Sequence, residues 1–314
     1  MSKNFFKILR AGINTTFQDH GRDNLYHIGI PFSGAMDKRN YLLANKLVGN
    51  KTELPVIEFA YQGPLLEFSG ERINIAITGD VNFTIKKNNN EINGVCYQTF
   101  EIKNGDKIDI MSTNKSVYGY LAVSAQFDLK YQWSSCSTNT KAYIGANGGR
   151  KLDNNQKINI IKINKNSNIK KLNYVNTRIE NIRVIKGTNF NYFSEQGKKN
   201  FFEKEFIISK LSDRMGMRLE GSKIENVVNT NIKSEGLIKG VIQVPADGNP
   251  IIMLSDHGTI GGYPKIGVVI SADYDKLVQL TPGTKIKFQE CELSNAESLF
   301  KLYELETQNL ISQI

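Results

Sequence analysis

Residues 241–288 read VIQVPADGNPIIMLSDHGTIGGYPKIGVVISADYDKLVQLTPGTKIKF. Four short strand-like runs lie in this stretch, separated by turns rich in Pro, Gly and Asp: 241–244, 251–254, 266–270 and 285–288. Short runs bounded by such residues predict β-strands. Between the last two runs, Ser271 can cap a short helix that ends at Leu277. The stretch therefore predicts a small β-rich domain with one short helix.

The loop 256–265, DHGTIGGYPK, carries the chemistry of this stretch. It joins two strand-like runs, and glycines allow another backbone or a ligand to approach closely. An imidazole exchanges protons near neutral pH, and the adjacent Asp256 could orient it, so His257 is predicted to be catalytic. A hydrogen-bonding or surface histidine is the equal alternative.

The same loop supplies a second set of candidates. Lys265 is predicted to be catalytic, and Gly261, Gly262 and Tyr263 are predicted to bind substrate. An ammonium and a phenol at the end of a fixed glycine loop can hold a carboxylate or phosphate oxygen. The alternative for Tyr263 and Lys265 is a contact at the rim of a subunit interface.

The rest of the chain reads as mainly β with a few helices. Asp37 is a predicted N-cap for a helix over 38–48, and a second helix is expected near the C-terminus. Six strands are predicted before the middle of the chain: 56–60, 65–68, 73–78, 83–86, 99–102 and 107–110. An Asn- and Lys-rich stretch, 154–176, reads as an irregular or extended connector and is the best candidate for a domain boundary. We therefore predict two β-rich domains, 1–175 and 176–314.

The amino-acid composition argues against several classes of protein. The 314 residues are 40% hydrophobic and carry a net charge of +9, with the Lys and Arg residues scattered along the chain. No helix-turn-helix, zinc-finger or RNA-recognition pattern accompanies the charge, so nucleic-acid binding is not expected. No apolar run is long enough to span a bilayer. Three widely spaced cysteines favour neither disulfides nor zinc, and a cytoplasmic location is expected.

Further candidates lie in the first loops. Asp19 is predicted to be catalytic and Arg22 to bind substrate, because charged groups crowd this segment. His20 and His27 lie seven residues apart, but this spacing does not define a metal site and no metal is predicted.

Two more motifs could bind an anion. Ser33 and Gly34 precede the first predicted helix, where free backbone N–H groups can hold one, although a capping turn explains them equally well. Arg214 and Arg218 lie four residues apart and suit bidentate recognition of a carboxylate; a salt bridge within the barrel wall is the alternative.

Several blocks of this sequence resemble one family. TTFQDHGR, GIPFSGAMDKRNYLLANKLVGN, IEFAYQGPLLEF, YGYLAVSAQFDL and GANGGRKLDNNQKI occur in the family's order, followed by SDRMGMRLEG and GGYPKIGVVISADYDKLVQLTPG. They are similar to the allophanate-hydrolase-subunit-2 family, which includes the C subunits of 5-oxoprolinases and the carboxyltransferase region of urea carboxylase. The resemblance implies that the second domain is a cyclophilin-like β-barrel.

The resemblance also implies a function. It points to one component of an ATP-dependent 5-oxoprolinase that is active only with two partners, an A-type protein and a B-type, kinase-inhibitor-like protein. ATP, with Mg²⁺, would be bound by or shared with a partner, since the sequence has no GxxxxGK[ST] loop. No biotinyl-lysine motif of the Ala-Met-Lys-Met type occurs, so no covalent biotin is expected. Two alternatives are a regulator that binds a kinase inhibitor and a carboxyltransferase-like subunit.

Overall fold

The computed structural model describes residues 4–88, 90–164, 168–174, 177–179, 181–228 and 230–314. The chain forms two compact units. The first unit comprises Met1–Arg22, Asp37–Asn176 and Thr307–Ile314, and the second comprises Asp23–Met36 and Thr177–Glu306. This division differs from the contiguous domains predicted from the sequence, because one early segment belongs to the second unit and the C-terminal residues belong to the first.

The first unit contains twelve described strands in two antiparallel sheets. The strands are β1 (Asn4–Arg10), β2 (Asn14–Gln18), β3 (Val56–Ala60), β4 (Leu65–Ser69), β5 (Ile73–Thr78), β6 (Val81–Lys87), β7 (Asn90–Asn93), β8 (Thr99–Ile102), β9 (Lys107–Thr113), β10 (Tyr118–Val123), β11 (Gln126–Phe127) and β12 (Lys157–Ile161). One sheet has the order β11-β12-β1-β4-β9-β6-β7, and the other has the order β2-β3-β10-β5-β8.

An apolar core holds the first unit together. Alternate residues of β1 and β4, such as Phe6 and Phe68, pack in the same cluster as Phe59 and Ile75 of the other sheet. The five-stranded sheet is also covered by helix α1 (Lys38–Leu47), which packs on β3, β5 and β10. Because both faces of these three strands are buried, they are apolar almost throughout.

Local signals predicted α1 well. Asp37 is its N-cap, and its carboxylate accepts a hydrogen bond from the Asn40 N–H at 3.0 Å, as the sequence indicated. Within the irregular or extended connector predicted over 154–176, residues 157–161 form a paired strand, β12, between β11 and β1. In β12 only Ile158 and Ile160 are buried, so this half-buried strand resembles a polar linker in sequence. Residues 165–167, 175 and 176 of the predicted connector lie outside the described residues.

The second unit is built on a closed barrel of seven strands in the order β13-β20-β17-β18-β15-β14-β21. Its strands are β13 (Asn181–Lys186), β14 (Glu205–Ile208), β15 (Gly216–Gly221), β17 (Val241–Gln243), β18 (Ile251–Met253), β20 (Lys265–Val269) and β21 (Lys285–Glu290). β13 and β21 pair in parallel, whereas the other neighbours are antiparallel. A small ribbon of β16 (Glu235–Gly236) and β19 (Ile260–Gly261) accompanies the barrel. The prediction of a mainly β fold with a barrel is confirmed.

The described residues contain five α-helices, of which α1 and the short turn α2 (Ala146–Gly149) lie in the first unit. The others are α3 (Glu195–Glu203), α4 (Ser271–Leu277) and α5 (Leu293–Ser312). The predicted cap at Ser271 was wrong: Ile270 is the N-cap of α4 and makes no side-chain capping bond. Tyr303 and Ala296 of α5 pack with Ile270 and Ala272. No helix in the described residues is long and apolar enough to cross a membrane.

Candidate functional site

A strained turn at Ser33 and Gly34 lies in the early segment of the second unit. Both residues have a left-handed backbone, with φ of 60° at Ser33 and 84° at Gly34. Ser33 is buried, and its N–H donates to the Ser255 carbonyl at 2.9 Å, which joins the turn to the chain just after β18. A non-glycine residue in this conformation is uncommon, and such residues cluster at binding and catalytic sites. The turn therefore stays a candidate for a binding site, as the sequence predicted.

A buried ion pair holds this turn in place. The Arg214 guanidinium binds Asp256 with two hydrogen bonds, of 2.8 Å from Nε and 3.1 Å from a terminal nitrogen, and the same nitrogen donates to the Gly34 carbonyl at 2.8 Å. Both side chains are over nine-tenths buried. Bidentate pairing gives fixed geometry, which suits Arg better than Lys. Arg214 therefore fixes Asp256 and the Ser33–Gly34 turn together.

The environment of His257 fixes its tautomer. Nδ1 lies 2.6 Å from the Gly258 carbonyl oxygen, which only accepts, so Nδ1 carries the proton and donates it. Nε2 is consequently the basic nitrogen, and it lies 3.3 Å from the Tyr26 hydroxyl. Burial of the ring lowers the pKa of His257, which keeps the imidazole neutral near pH 7. Asp256 was expected to orient this ring, but its carboxylate is held by Arg214.

Tyr26 and Lys239 complete the surroundings of the imidazole. The rings of Tyr26 and His257 meet edge to face, with centroids 5.8 Å apart, and Tyr26 is 37% exposed. Burial, followed by the Asp23 charge, raises the pKa of Tyr26, so its hydroxyl stays protonated. The Lys239 ammonium lies 4.4 Å from the centre of the Tyr274 ring, where a cation–π contact is favourable. The site thus offers a neutral base, a hydroxyl and a cation.

The glycine loop forms a second group, packed on the ribbon. β19 pairs with β16, and the Ile232 N–H donates to the Gly262 carbonyl at 2.9 Å. A Cβ on Gly261 would lie 2.6 Å from the Gln243 side-chain nitrogen, and one on Gly262 would lie 3.2 Å from a backbone oxygen. Neighbouring groups therefore approach both glycines closely, as the sequence indicated.

Lys265 is part of this packed loop. Its side chain is only 6% exposed, and its ammonium pairs with Glu235 at 2.7 Å. This hydrogen bond lowers the pKa of Glu235. Tyr263 is 39% exposed beside it. The alternative of a rim contact for Lys265 does not fit this burial, and its catalytic role stays a prediction.

Asp19 and Arg22 lie in the first unit, in a network of serines. The Asp19 carboxylate accepts hydrogen bonds from the Ser135 hydroxyl at 2.6 Å, from the Cys136 N–H at 2.7 Å and from the Ser137 hydroxyl. The Arg22 guanidinium donates to the Ser137 carbonyl at 2.6 Å. The catalytic role of Asp19 stays a prediction. Its observed contacts hold the 135–137 segment in place.

Comparison with known proteins identifies the family. A model described as carboxyltransferase domain, subdomain A and B, matches residues 28–290. This chain belongs to that family. It is 33% identical over 294 residues to the C subunit of the Escherichia coli 5-oxoprolinase, covering 92% of both chains. It is 31% identical to the C subunit of the Haemophilus influenzae 5-oxoprolinase, covering 95% of both.

Members of this carboxyltransferase family also share the fold in solved structures. The crystal structure of Kluyveromyces lactis urea carboxylase matches 99% of this chain with a TM-score of 0.88 and 26% identity. The match covers 29% of the urea carboxylase chain. This chain therefore corresponds to one region of that larger protein. The resemblance inferred from the sequence blocks is confirmed.

The carboxyltransferase-family fold brings some of the predicted residues together and separates others. His257, Arg214, Ser33 and Gly34 form one group in the second unit, although their roles stay predictions. Arg218 is exposed on β15 and does not join Arg214, because the segment is a strand and not a helix. No pattern in the sequence indicates Tyr26, which only its contact with His257 identifies.

A metal site is not supported by the described part of the chain. In those residues no three His, Cys, Asp or Glu side chains lie close enough to hold an ion. His20 packs edge-on against Tyr41 in the first unit, whereas His27 lies exposed in a single turn of 3₁₀ helix, Tyr26–Ile28, in the second.

Proposed function

We propose that this chain is the C subunit of an ATP-dependent 5-oxoprolinase complex, which opens the lactam of 5-oxoproline to give L-glutamate. The observation that carries the proposal is the 33% identity to the C subunit of a 5-oxoprolinase over nearly the whole of both chains. Coverage of both chains favours the same role more strongly than a match to one domain would. We further propose that A-type and B-type subunits complete the enzyme.

The chemistry explains why ATP is needed. A lactam carbon is a poor electrophile because the ring nitrogen donates its electron pair into the carbonyl. Transfer of the γ-phosphoryl group of ATP to the lactam oxygen releases ADP and makes that carbon more reactive. Water then adds to the carbon, the C–N bond breaks and the nitrogen takes up a proton, which leaves an acyl phosphate. A second water hydrolyses this acyl phosphate to the carboxylate of glutamate and free phosphate. The chain has no P-loop motif, so we propose that nucleotide and Mg²⁺ are held by, or shared with, a partner protein.

His257 is the residue best suited to handle the proton of the attacking water. Its neutral imidazole presents a basic Nε2, and the Tyr26 hydroxyl beside it can orient the water. The Ser33–Gly34 turn, fixed by Arg214, would give the substrate a rigid wall. Hydrogen-bond donors aimed at the developing oxyanion would stabilise such a step.

The proposal is tested by assembly and assay. We would co-express this chain with A-type and B-type subunits of the same source, purify the complex and measure glutamate formed from 5-oxoproline with and without ATP. We expect activity that requires ATP and all three chains. His257→Gln keeps a polar side chain but removes the base, so kcat should fall by about 10²–10⁴. An assembled complex that forms no glutamate would contradict the proposal.

A second candidate function is carboxyl transfer. The TM-score of 0.88 to the Kluyveromyces lactis urea carboxylase favours it. The carboxyl group would come on a biotin attached to another chain, since this sequence lacks a biotinyl-lysine motif. Supplying the same complex with urea and a biotinylated carrier protein that a biotin carboxylase has already charged with labelled bicarbonate tests this. Label in a urea-derived product, without glutamate from 5-oxoproline, would support it over the first proposal.

A further inference from the structure

A tight turn at Trp133 and Ser134 has an unusual composition. Both residues have a left-handed backbone, with φ of 51° and 60°. Gln132 and Ser135 on either side exchange two backbone hydrogen bonds, of 2.8 and 3.2 Å. Positive φ at both central positions characterises a type I′ turn, which strongly prefers Asn-Gly because other side chains are strained there. A Trp-Ser pair is therefore an unfavourable choice for folding.

The rest of the network compensates for that strain. Ser135 follows the turn, and its hydroxyl donates to Asp19 at 2.6 Å; the Cys136 N–H donates to the other carboxylate oxygen at 2.7 Å. Charge-assisted hydrogen bonds of this kind are among the stronger ones in proteins. Asp19 thus pins the segment after the turn and holds Trp133 in its strained position.

The indole gains little from this position within the chain. Trp133 is 49% exposed, and Tyr131, two residues earlier, is 53% exposed. Tyr143 is 68% exposed and also has a positive φ, of 55°. The Gln132 side chain accepts a hydrogen bond from the Gly145 N–H at 2.6 Å, which ties the two aromatic turns together. Trp133 and Tyr143 are thus exposed aromatic residues in turns, and Tyr131 is exposed two residues before the first turn. Neighbouring exposed aromatic rings are typical of a protein-binding surface.

The charges around the two tyrosines indicate the kind of partner. Tyr131 lines a shallow depression of about 400 Å³, and Tyr143 lines another of about 430 Å³. Four cations line these depressions, against the carboxylates Asp128 and Asp153: Lys130, Arg150, Lys151 and Lys157. The net charge of the lining residues is therefore positive, and oppositely charged groups on a partner would be favoured there.

We propose that Trp133, Tyr131 and Tyr143, with the four flanking cations, form a docking surface for an acidic polypeptide segment of a partner protein. This surface, which we call the Trp133 surface, would anchor the partner by the indole and select it by charge. The inference rests on the proposed function, because that function supplies the partner: the B-type subunit.

The single tryptophan of the chain makes a direct test possible. We would label this chain alone with 5-fluorotryptophan and record its ¹⁹F resonance while adding the unlabelled B-type subunit of the same source. We expect the resonance to shift to a bound position and Kd, measured by calorimetry, to rise with salt. An unshifted resonance at saturation would overturn the proposal. So would an equal shift produced by a single-stranded oligonucleotide at about 0.15 M salt, since the surface would then bind nucleic acid.

Two matched variants separate docking from folding. Trp133→Asn removes the indole but places a residue that tolerates the left-handed backbone, so the chain should melt no lower and bind at least about tenfold more weakly. Ser134→Gly relieves the same turn and keeps the indole, so Kd should not change. Wild-type Kd for Trp133→Asn would overturn the proposal. If the B-type subunit binds in a Trp133-dependent way but the assembled complex has no 5-oxoprolinase activity, the proposed function is refuted and the docking surface is supported.

Discussion

Replacing Arg214 with Met tests the pair that holds the Ser33–Gly34 turn. The change removes two hydrogen bonds to Asp256 and one to the Gly34 carbonyl, and it leaves a carboxylate whose side chain is 3% exposed without its cation. Removing one partner of a buried ion pair costs about 3–5 kcal/mol, because the remaining charge stays in a poorly solvating interior. We expect a loss of about that size in the free energy of unfolding of the second unit.

The double variant Arg214→Met with Asp256→Leu distinguishes the charge from the packing. Since no charge is then buried, most of the lost stability should return, as replacement of a buried pair by apolar groups is often neutral. Activity of the complex should not return, because the Gly34 carbonyl still lacks its donor and the turn is no longer fixed. Urea titrations followed by far-UV circular dichroism give the stabilities. A single variant that loses less than about 1 kcal/mol, or a double variant no more stable than the single, would show that this pair does not hold a buried charge in place.

Three further predictions concern stability. Because burial lowers the pKa of His257 below its unfolded value of 6.5, the unfolded state binds the proton more tightly than the folded state does. The free energy of unfolding should therefore decrease as the pH drops through 6.5, and His257→Gln should weaken this pH dependence in melting curves. Lys265→Ala should lower the melting temperature more than Lys265→Met, because methionine keeps the buried apolar part of the side chain. A double-mutant cycle with Glu235→Ala should show coupling between the two charges. Equal melting temperatures of the two Lys265 variants would count against the packed position. Gly145 and Gly148 both have a positive φ, but a Cβ on Gly145 would lie 2.0 Å from a carbonyl oxygen, whereas one on Gly148 would meet nothing within 4 Å. In urea titrations Gly145→Ala should therefore prevent stable folding, while Gly148→Ala should cost about 1 kcal/mol.

Elements stabilised by neighbouring residues were predictable from the sequence. The helix α1 follows from Asp37, whose carboxylate caps Asn40 three residues later. The strand β12 was missed because only two of its five side chains are buried, in a stretch dominated by Lys and Asn. The four-residue spacing of Arg214 and Arg218 would bring them together only in a helix, and Arg218 lies instead in a barrel strand paired with β18. Local rules fail where pairing with a distant strand supplies the stabilisation.

The family, the mainly β composition and the candidates His257, Arg214, Ser33 and Gly34 follow from the amino-acid sequence alone, because each depends on residue types in a short, ordered motif. Which of these candidates meet is set by tertiary contacts. Arg214 reaches the Gly34 carbonyl across 180 positions, and Tyr26 reaches His257 across 231. No local pattern encodes such contacts. These contacts form when the barrel closes and the early segment Asp23–Met36 packs within the second unit. Burial then keeps the His257 imidazole neutral and gives Arg214 a buried ionic partner.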